Sequence, residues 1–474
     1  MNSAVPADSE HGSAPRSLDT RRSIFATAVA LIVLLALLVR VVYVTTAVVD
    51  VPIRGDANQY VLYAWNMVHR GTYSTELPDG SGAVGDDHRG PGYALLLASA
   101  MMLAGHSDLP LHEGSDGVAV LGYATDTWMS YVYGIQIVLG TLTVLLTIAI
   151  ARFWLGKAAS LAAGAMVALW PHLVVSSGVL LSESLFAFVC ALAVFAILRM
   201  LTVPGPASAI AAGVSIGLVF LVNPVIAPFP VFVGALALLA TNVRVTLAFL
   251  VAFAAFPVGW GFADPHPLES LRSRALAPFV VGSWPQFYAA YNTRFSDPIS
   301  AQIMAAYAEE EQTFERDPNA GFRAMRERMS LDPVYYVRWY LLQKPFLLWD
   351  WNIRIGPGSF YTMQTRNSPF ELNPLLRACA SILKAINPLL FFSALLAAAT
   401  VALRFLARWR ERAGYPIAVV AGLFFYVTIV YSILQAEPRY SVAFRPFEFM
   451  LSLTALTWLW RFAAMRMSRK LAVR

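Results

Sequence analysis

The chain has 474 residues, of which 58% are hydrophobic and only 14% charged, and its mean hydropathy is +0.58. A soluble domain of this length needs more charge for its surface, so composition excludes that class and points to a protein built of membrane spans. The formal net charge of +6 does not indicate a nucleic-acid partner, because the basic residues stand at the ends of apolar runs, where topology accounts for them.

Residues 1–20 are small, polar and Pro-containing and read as a disordered tail. Arg16, Arg21 and Arg22 precede an apolar run, Ile24 to Val49, that is longer than a signal-peptide core and has no small-x-small cleavage site after it. It reads as an uncleaved first span. The predicted fold is therefore an all-α polytopic membrane protein with about ten spans, at 24–49, 127–151, 158–175, 178–200, 207–222, 225–241, 245–263, 380–403, 415–434 and 441–462. Each approaches the roughly 20 residues a helix needs to cross about 30 Å of hydrocarbon. The spans at 207–222 and 225–241 are short and meet at Asn223-Pro224, so they also read as one broken helix.

Charge sets the expected orientation. With the N-terminus inside, the inner links hold Arg152 and Lys157, Arg199, Arg244, and then Arg404, Arg408, Arg410 and Arg412; the C-terminal tail holds Arg466, Arg469, Lys470 and Arg474. Every inner segment is then basic, as the positive-inside rule requires. The chain divides into a tail at 1–20, a spanning module at 21–263 whose first outer loop is 50–126, an outer helical segment at 264–379, and C-terminal spans with a basic tail at 380–474. Cys190 lies inside an apolar run, so the two cysteines, Cys190 and Cys379, do not read as a disulfide framework.

The first outer loop holds the most informative residues. It opens Arg54-Gly55-Asp56-Ala57-Asn58-Gln59-Tyr60, continues as an amphipathic stretch to His69, then reads Arg70-Gly71-Thr72-Tyr73-Ser74. Further on stand Asp86-Asp87-His88-Arg89-Gly90-Pro91-Gly92-Tyr93 and an apolar run, Ala94 to Leu103, too short to cross a bilayer and so expected to lie along its surface. By spacing alone Asp56 reads as the N-cap of the stretch that follows it. In the second outer segment, Asp297-Pro298, Asp317-Pro318 and Asp332-Pro333 each suit a helix start. A helix from Pro333 to Trp351, dense in aromatics, suits the headgroup level.

The order of these motifs resembles the C-type membrane glycosyltransferase superfamily, in its bacterial branch related to lipid A aminoarabinose transferases and protein O-mannosyltransferases. The residues that bear the likeness are Arg40, Asp56 with Tyr60, Gly71-x-Tyr73-Ser74, Arg89-Gly90-Pro91-Gly92-Tyr93, Ser182-Glu183, the Pro333–Trp351 stretch and Glu437-Pro438-Arg439-Tyr440. The pattern departs where a second acid is common after the loop Asp, here Ala57, and where an Arg-Pro is common, here Asn223-Pro224.

The resemblance implies an enzyme of the bacterial inner membrane, with both termini cytoplasmic and its site on the periplasmic face. It implies a sugar donor linked to polyprenyl phosphate, a lipid, glycan or protein acceptor, and membrane lipids as surroundings. Phosphate is a fair leaving group, so such a reaction needs cations for the developing negative charge and one carboxylate base for the acceptor hydroxyl. Asp56 matches the family's loop acid and is the expected base. Arg54, His88, Arg89, Lys344, Arg354 and Arg439 are the outer cations able to hold phosphate, with Tyr60 beside them; Asp86, Asp87, Glu183 and Glu437 are possible cavity acids. Each has a plainer reading. Arg54 meets headgroups, Lys344 snorkels, Arg439 pairs locally with Glu437, and Arg40 snorkels or supports Asp56. No metal site is expected, although Asp86-Asp87-His88 has the donor types for a divalent ion. Glu448 is expected to pair with Arg445 one turn away. Two alternatives remain: a polymerase or ligase of lipid-linked polysaccharide, which would use a pyrophosphate-linked donor, and a transporter, against which stand the charge-poor central spans and the lack of a repeat.

Overall fold

The computed structural model describes residues 16–76, 89–105, 109, 111–113, 119–121, 127–263, 267–411 and 414–472. They are mostly helical. Two short antiparallel ladders accompany the helices: Val48–Val49 with Thr365–Arg366, and Leu111–Glu113 with Ala119–Leu121.

Among the described residues six helices are long and apolar enough to cross a membrane: Ser23–Thr46, Thr127–Ala151, Glu183–Thr202, Val243–Phe262, Pro374–Ala407 and Tyr415–Ile433. A bent pair, Lys157–Leu169 with Pro171–Gly178, makes a seventh if it counts as one span. The 57° bend has a local cause: Trp170 is extended (φ −66°, ψ 114°) ahead of Pro171, as a residue before proline tends to be. All ten expected runs fall on helices, but length and composition support six or seven spans rather than ten. Pro206–Val222 and Pro224–Ala240 are apolar yet short, and the last helix, Arg445–Ala472, carries Arg445 and Glu448 in its first turn.

The last helix tolerates those charges because they are matched inside the protein. Arg445 meets Glu448 at 2.8 Å, as expected, and also donates to the Asn387 side chain at 3.0 Å and the Asp350 carbonyl at 2.7 Å. One guanidinium thus ties the last helix to the Pro374–Ala407 helix and to the outer segment. Arg40 neither snorkels nor supports Asp56. It is buried, and its guanidinium donates to the carbonyls of Ala36, Val167 and Ala168, fastening the first helix to the end of the bent one.

The outer segment folds as its Asp-Pro signals predict. The Asp297, Asp317 and Asp332 side chains cap the helices Pro298–Arg316, Pro318–Ser330 and Pro333–Arg338. The aromatic helix passes through a π turn at Trp339–Gln343 and ends at Leu348 rather than Trp351. Trp349 and Trp351 leave it and turn inward, Trp349 stacking on Phe424 at 4.7 Å and Trp351 meeting Trp170 edge-on at 5.0 Å. Cys190 and Cys379 are free.

Removing one partner of a buried ion pair strands the other charge, at about 3–5 kcal/mol. Glu448→Ala should therefore lower thermal stability in detergent far more than Glu411→Ala, whose partner Arg408 is exposed. Equal melting temperatures for the two variants would contradict this account.

Candidate functional site

The site begins where the chain turns at Gly55 into the Asp56–Arg70 helix. Gly55 is the cap, at φ 57°, and no side chain caps the helix. Asp56 is thus the first helical residue and not the N-cap that spacing suggests. Its carboxylate turns to stronger partners than a backbone N–H: the guanidiniums of Arg89 at 2.5 Å and Arg439 at 2.9 Å. One turn along the same helix, Gln59 accepts from Arg89 Nε at 2.7 Å. The Tyr60 ring lies 5.7 Å from the Arg89 guanidinium carbon, and its hydroxyl donates to Ser182 Oγ at 3.5 Å.

Two motifs hold Arg89 in place. In the first, Gly71 takes the left-handed conformation (φ 64°) that ends the Asp56–Arg70 helix, and the chain folds back. Tyr73 then stacks on Tyr63 at 4.0 Å and donates to the Arg89 carbonyl at 3.0 Å. In the second, Gly90-Pro91-Gly92 opens the Pro91–Ala104 helix against the end of Pro206–Val222. A Cβ on Gly90 would stand 2.5 Å from the Leu221 carbonyl oxygen, and one on Gly92 would stand 2.7 Å from Val222 Cγ2. Only hydrogen fits there. Tyr93 completes the fit by donating to Gln136 Oε1 at 3.0 Å. Tyr93 and its neighbours pack into a core with Tyr60, so this helix has a buried face.

Arg439 arrives from the other end of the chain. Glu437 caps the short Pro438–Ser441 helix, accepting from the Arg439 backbone N–H at 2.6 Å and the Arg354 N–H at 2.7 Å. The Arg439 guanidinium is not spent on this local acid. It pairs with Asp56 and, through Nε, with Glu183 at the start of the Glu183–Thr202 helix. Asp56, Arg89, Glu183 and Arg439 line one cavity of about 630 Å³, with Asn223 and Tyr440 among its other walls.

Burial opposes charge on Asp56, but Arg439 and Arg89 outweigh it and hold the carboxyl below its ordinary range. Burial likewise disfavours the Arg439 cation, yet Glu183 and Asp56 raise its proton affinity well above that of a free guanidinium. Glu437 goes the other way: burial, only partly offset by the Arg354 N–H and the Arg439 charge, pushes it up to about 7.

The remaining expected residues divide. Arg54 is exposed and does not line the cavity. Lys344 does not snorkel; it is buried and donates to the carbonyls of Gly282 at 2.9 Å and Leu434 at 2.5 Å, and burial pushes it down to about 7. Arg354 pairs with Asp350. Asp86, Asp87 and His88 lie outside the described residues, among which no group of three or more metal-ligating side chains occurs. Gln59, Tyr431 and Gln435 also line the cavity without having been singled out. Gln59 had a signal, since three residues after Asp56 it shares that helix face; the other two had none.

Residues 62–254 match the family model described as dolichyl-phosphate-mannose-protein mannosyltransferase. No curated protein matches the chain. Among solved structures, the chain is similar to the archaeal oligosaccharyltransferase AglB from Archaeoglobus fulgidus in complex with an inhibitory peptide and a dolichol-phosphate: 16% identity, TM-score 0.50, covering 95% of this chain and 52% of that one. It is also similar to ArnT from Cupriavidus metallidurans bound to undecaprenyl phosphate, at 15% identity and TM-score 0.40, over 93% of this chain and 63% of that one. The chain thus spans about half the length of the archaeal enzyme. The match over residues 62–254 and the fold shared with the archaeal enzyme both agree with the resemblance read from the motifs.

Proposed function

We propose that this protein transfers a sugar from a polyprenyl-phosphate donor to an acceptor hydroxyl, with inversion at the anomeric carbon and Asp56 as the base. The observation that supports this most is the placement of Asp56 between two guanidiniums at the wall of a cavity of about 630 Å³. The family match supplies the donor class: the matched family is described by its dolichyl-phosphate-linked mannose. The acceptor is a lipid, a glycan or a protein. The site faces the periplasm, both termini face the cytoplasm, and the short apolar helices and the last helix complete a set of about ten spans. The exposed Val334, Val337, Leu341 and Leu342 rest on the headgroup layer beside the site.

The acceptor oxygen forms a bond to the anomeric carbon, the bond from that carbon to the phosphate oxygen breaks, and the electron pair leaves with polyprenyl phosphate. The acceptor proton passes to Asp56. A carboxylate held below its ordinary range is a weak base, but the hydroxyl becomes strongly acidic only as its oxygen bonds to carbon, so the transfer falls late in the step. Arg89 is one-third exposed and is the cation free to swing from Asp56 to the donor phosphate. That movement stabilises the leaving group and returns basicity to Asp56 when the donor is bound. Arg439, held by two carboxylates, stays and positions the base.

Purified protein incubated with labelled polyprenyl-phosphate sugars and membrane extract should consume donor, and Asp56→Asn should lower the rate by about 10²–10⁴-fold, the usual worth of a general base. Full activity in that variant would remove Asp56 from the mechanism. The pH dependence gives a separate test. Because Asp56 is held low, the acid limb of kcat/KM should lie below the ordinary carboxylate range. Removing a cation raises the Asp56 pKa, so Arg439→Gln should shift that limb to higher pH, and Arg89→Gln should shift it in the same direction. An acid limb that does not move in either variant would mean another group titrates there.

A further inference from the structure

A second cavity, of about 570 Å³, lies behind the segment that follows Trp351, and its walls include Tyr361, Glu371, Arg377 and Lys384. It shares no lining residue with the cavity at Asp56. Its cations are unspent: among the described residues neither Arg377 nor Lys384 has an ion-pair partner, and Glu371 has the Tyr361 side chain beside it but no cation.

The depth of this cavity follows from the helix that forms one wall. Pro374–Ala407 has 34 residues, about 51 Å at 1.5 Å per residue, well beyond the roughly 30 Å of hydrocarbon. Residues 385–403 contain no charged side chain, and that stretch is about 28 Å long, close to the hydrocarbon thickness. Lys384 therefore stands at one headgroup level and Arg404 at the other. Arg377 and Lys384 are two turns apart, about 10 Å along the axis, a distance two long side chains can span to meet at one phosphate.

The geometry points to a binding site for a zwitterionic aminophospholipid, a phosphate bearing a primary ammonium, in the leaflet at the level of Asp56. The phosphate lies between Arg377 and Lys384, the ammonium meets the Glu371 carboxylate, and the acyl chains run from the headgroup into the hydrocarbon. The two cations alone would suit any anionic lipid. Glu371 decides the class, because it repels a second negative charge and needs a cation that can donate hydrogen bonds. The Tyr361 ring supplies an apolar wall beside that headgroup.

Native mass spectrometry of the full-length protein in detergent, offered an equimolar mixture of phosphatidylethanolamine and phosphatidylglycerol, reads the site directly. The unaltered protein should retain phosphatidylethanolamine in preference, and Arg377→Gln with Lys384→Gln should weaken that retention by about tenfold, the scale of losing one to two charge-assisted contacts. Glu371→Gln should leave phosphatidylethanolamine bound but abolish its preference over phosphatidylglycerol. That ratio is internal to each sample, so a partly misfolded variant, which loses both lipids together, does not imitate it. Equal retention of both lipids by the unaltered protein, or an unchanged ratio in Glu371→Gln, would overturn the proposal.

Discussion

The arrangement at the site depends on one guanidinium shared by two carboxylates. Arg439 bonds Glu183, 256 positions earlier in the chain, and Asp56, at the start of the first outer helix. Three segments that share no local structure meet at this ion. Asp56 could not be left desolvated alone, since burial opposes its charge and only the two guanidiniums outweigh that. With Arg439 and Arg89 present, the Asp56 carboxyl is held below its ordinary range.

Around this ion network the protein places rigid supports rather than more charge. Gly90 and Gly92 press against backbone and side chain at Leu221 and Val222, and Tyr73 holds the Arg89 carbonyl, so Arg89 starts from a fixed base while its head remains partly open to the cavity. On the opposite side Glu437 ties the backbone of Arg354 to that of Arg439, and Lys344 bridges the carbonyls of Gly282 and Leu434. Both are buried ionisable groups whose partners are main-chain atoms. They join the segment around Gly282 and Arg354 to the bundle and do not line the cavity at Asp56.

Much of this was legible because it is local. Apolar runs announce helices wherever they occur, and Asp-Pro pairs announce helix starts, so the helical class and the three capped outer helices could be read directly. The Asp56 and Arg89 motifs were legible through their order along the chain. What misled was every side chain whose partner is remote. Lys344 reads as a snorkelling surface residue until its acceptors, 62 and 90 positions away, are known. Arg40 reads as an interfacial cation, yet two of its carbonyl acceptors lie 127 and 128 positions along. Arg439 reads as the partner of a neighbour two residues away, because local pairing is the only kind a linear pattern displays.

The sharing of Arg439 also fixes an order in time. A chain made from its N-terminus at about 5–20 residues per second presents Asp56 and Glu183 tens of seconds before Arg439 exists. Throughout that interval Asp56 has Arg89 within reach but lacks its second guanidinium, and Glu183 lacks the one it pairs with. The ion network is therefore complete only once the segment bearing Arg439 has been made, long after the loop that bears Asp56.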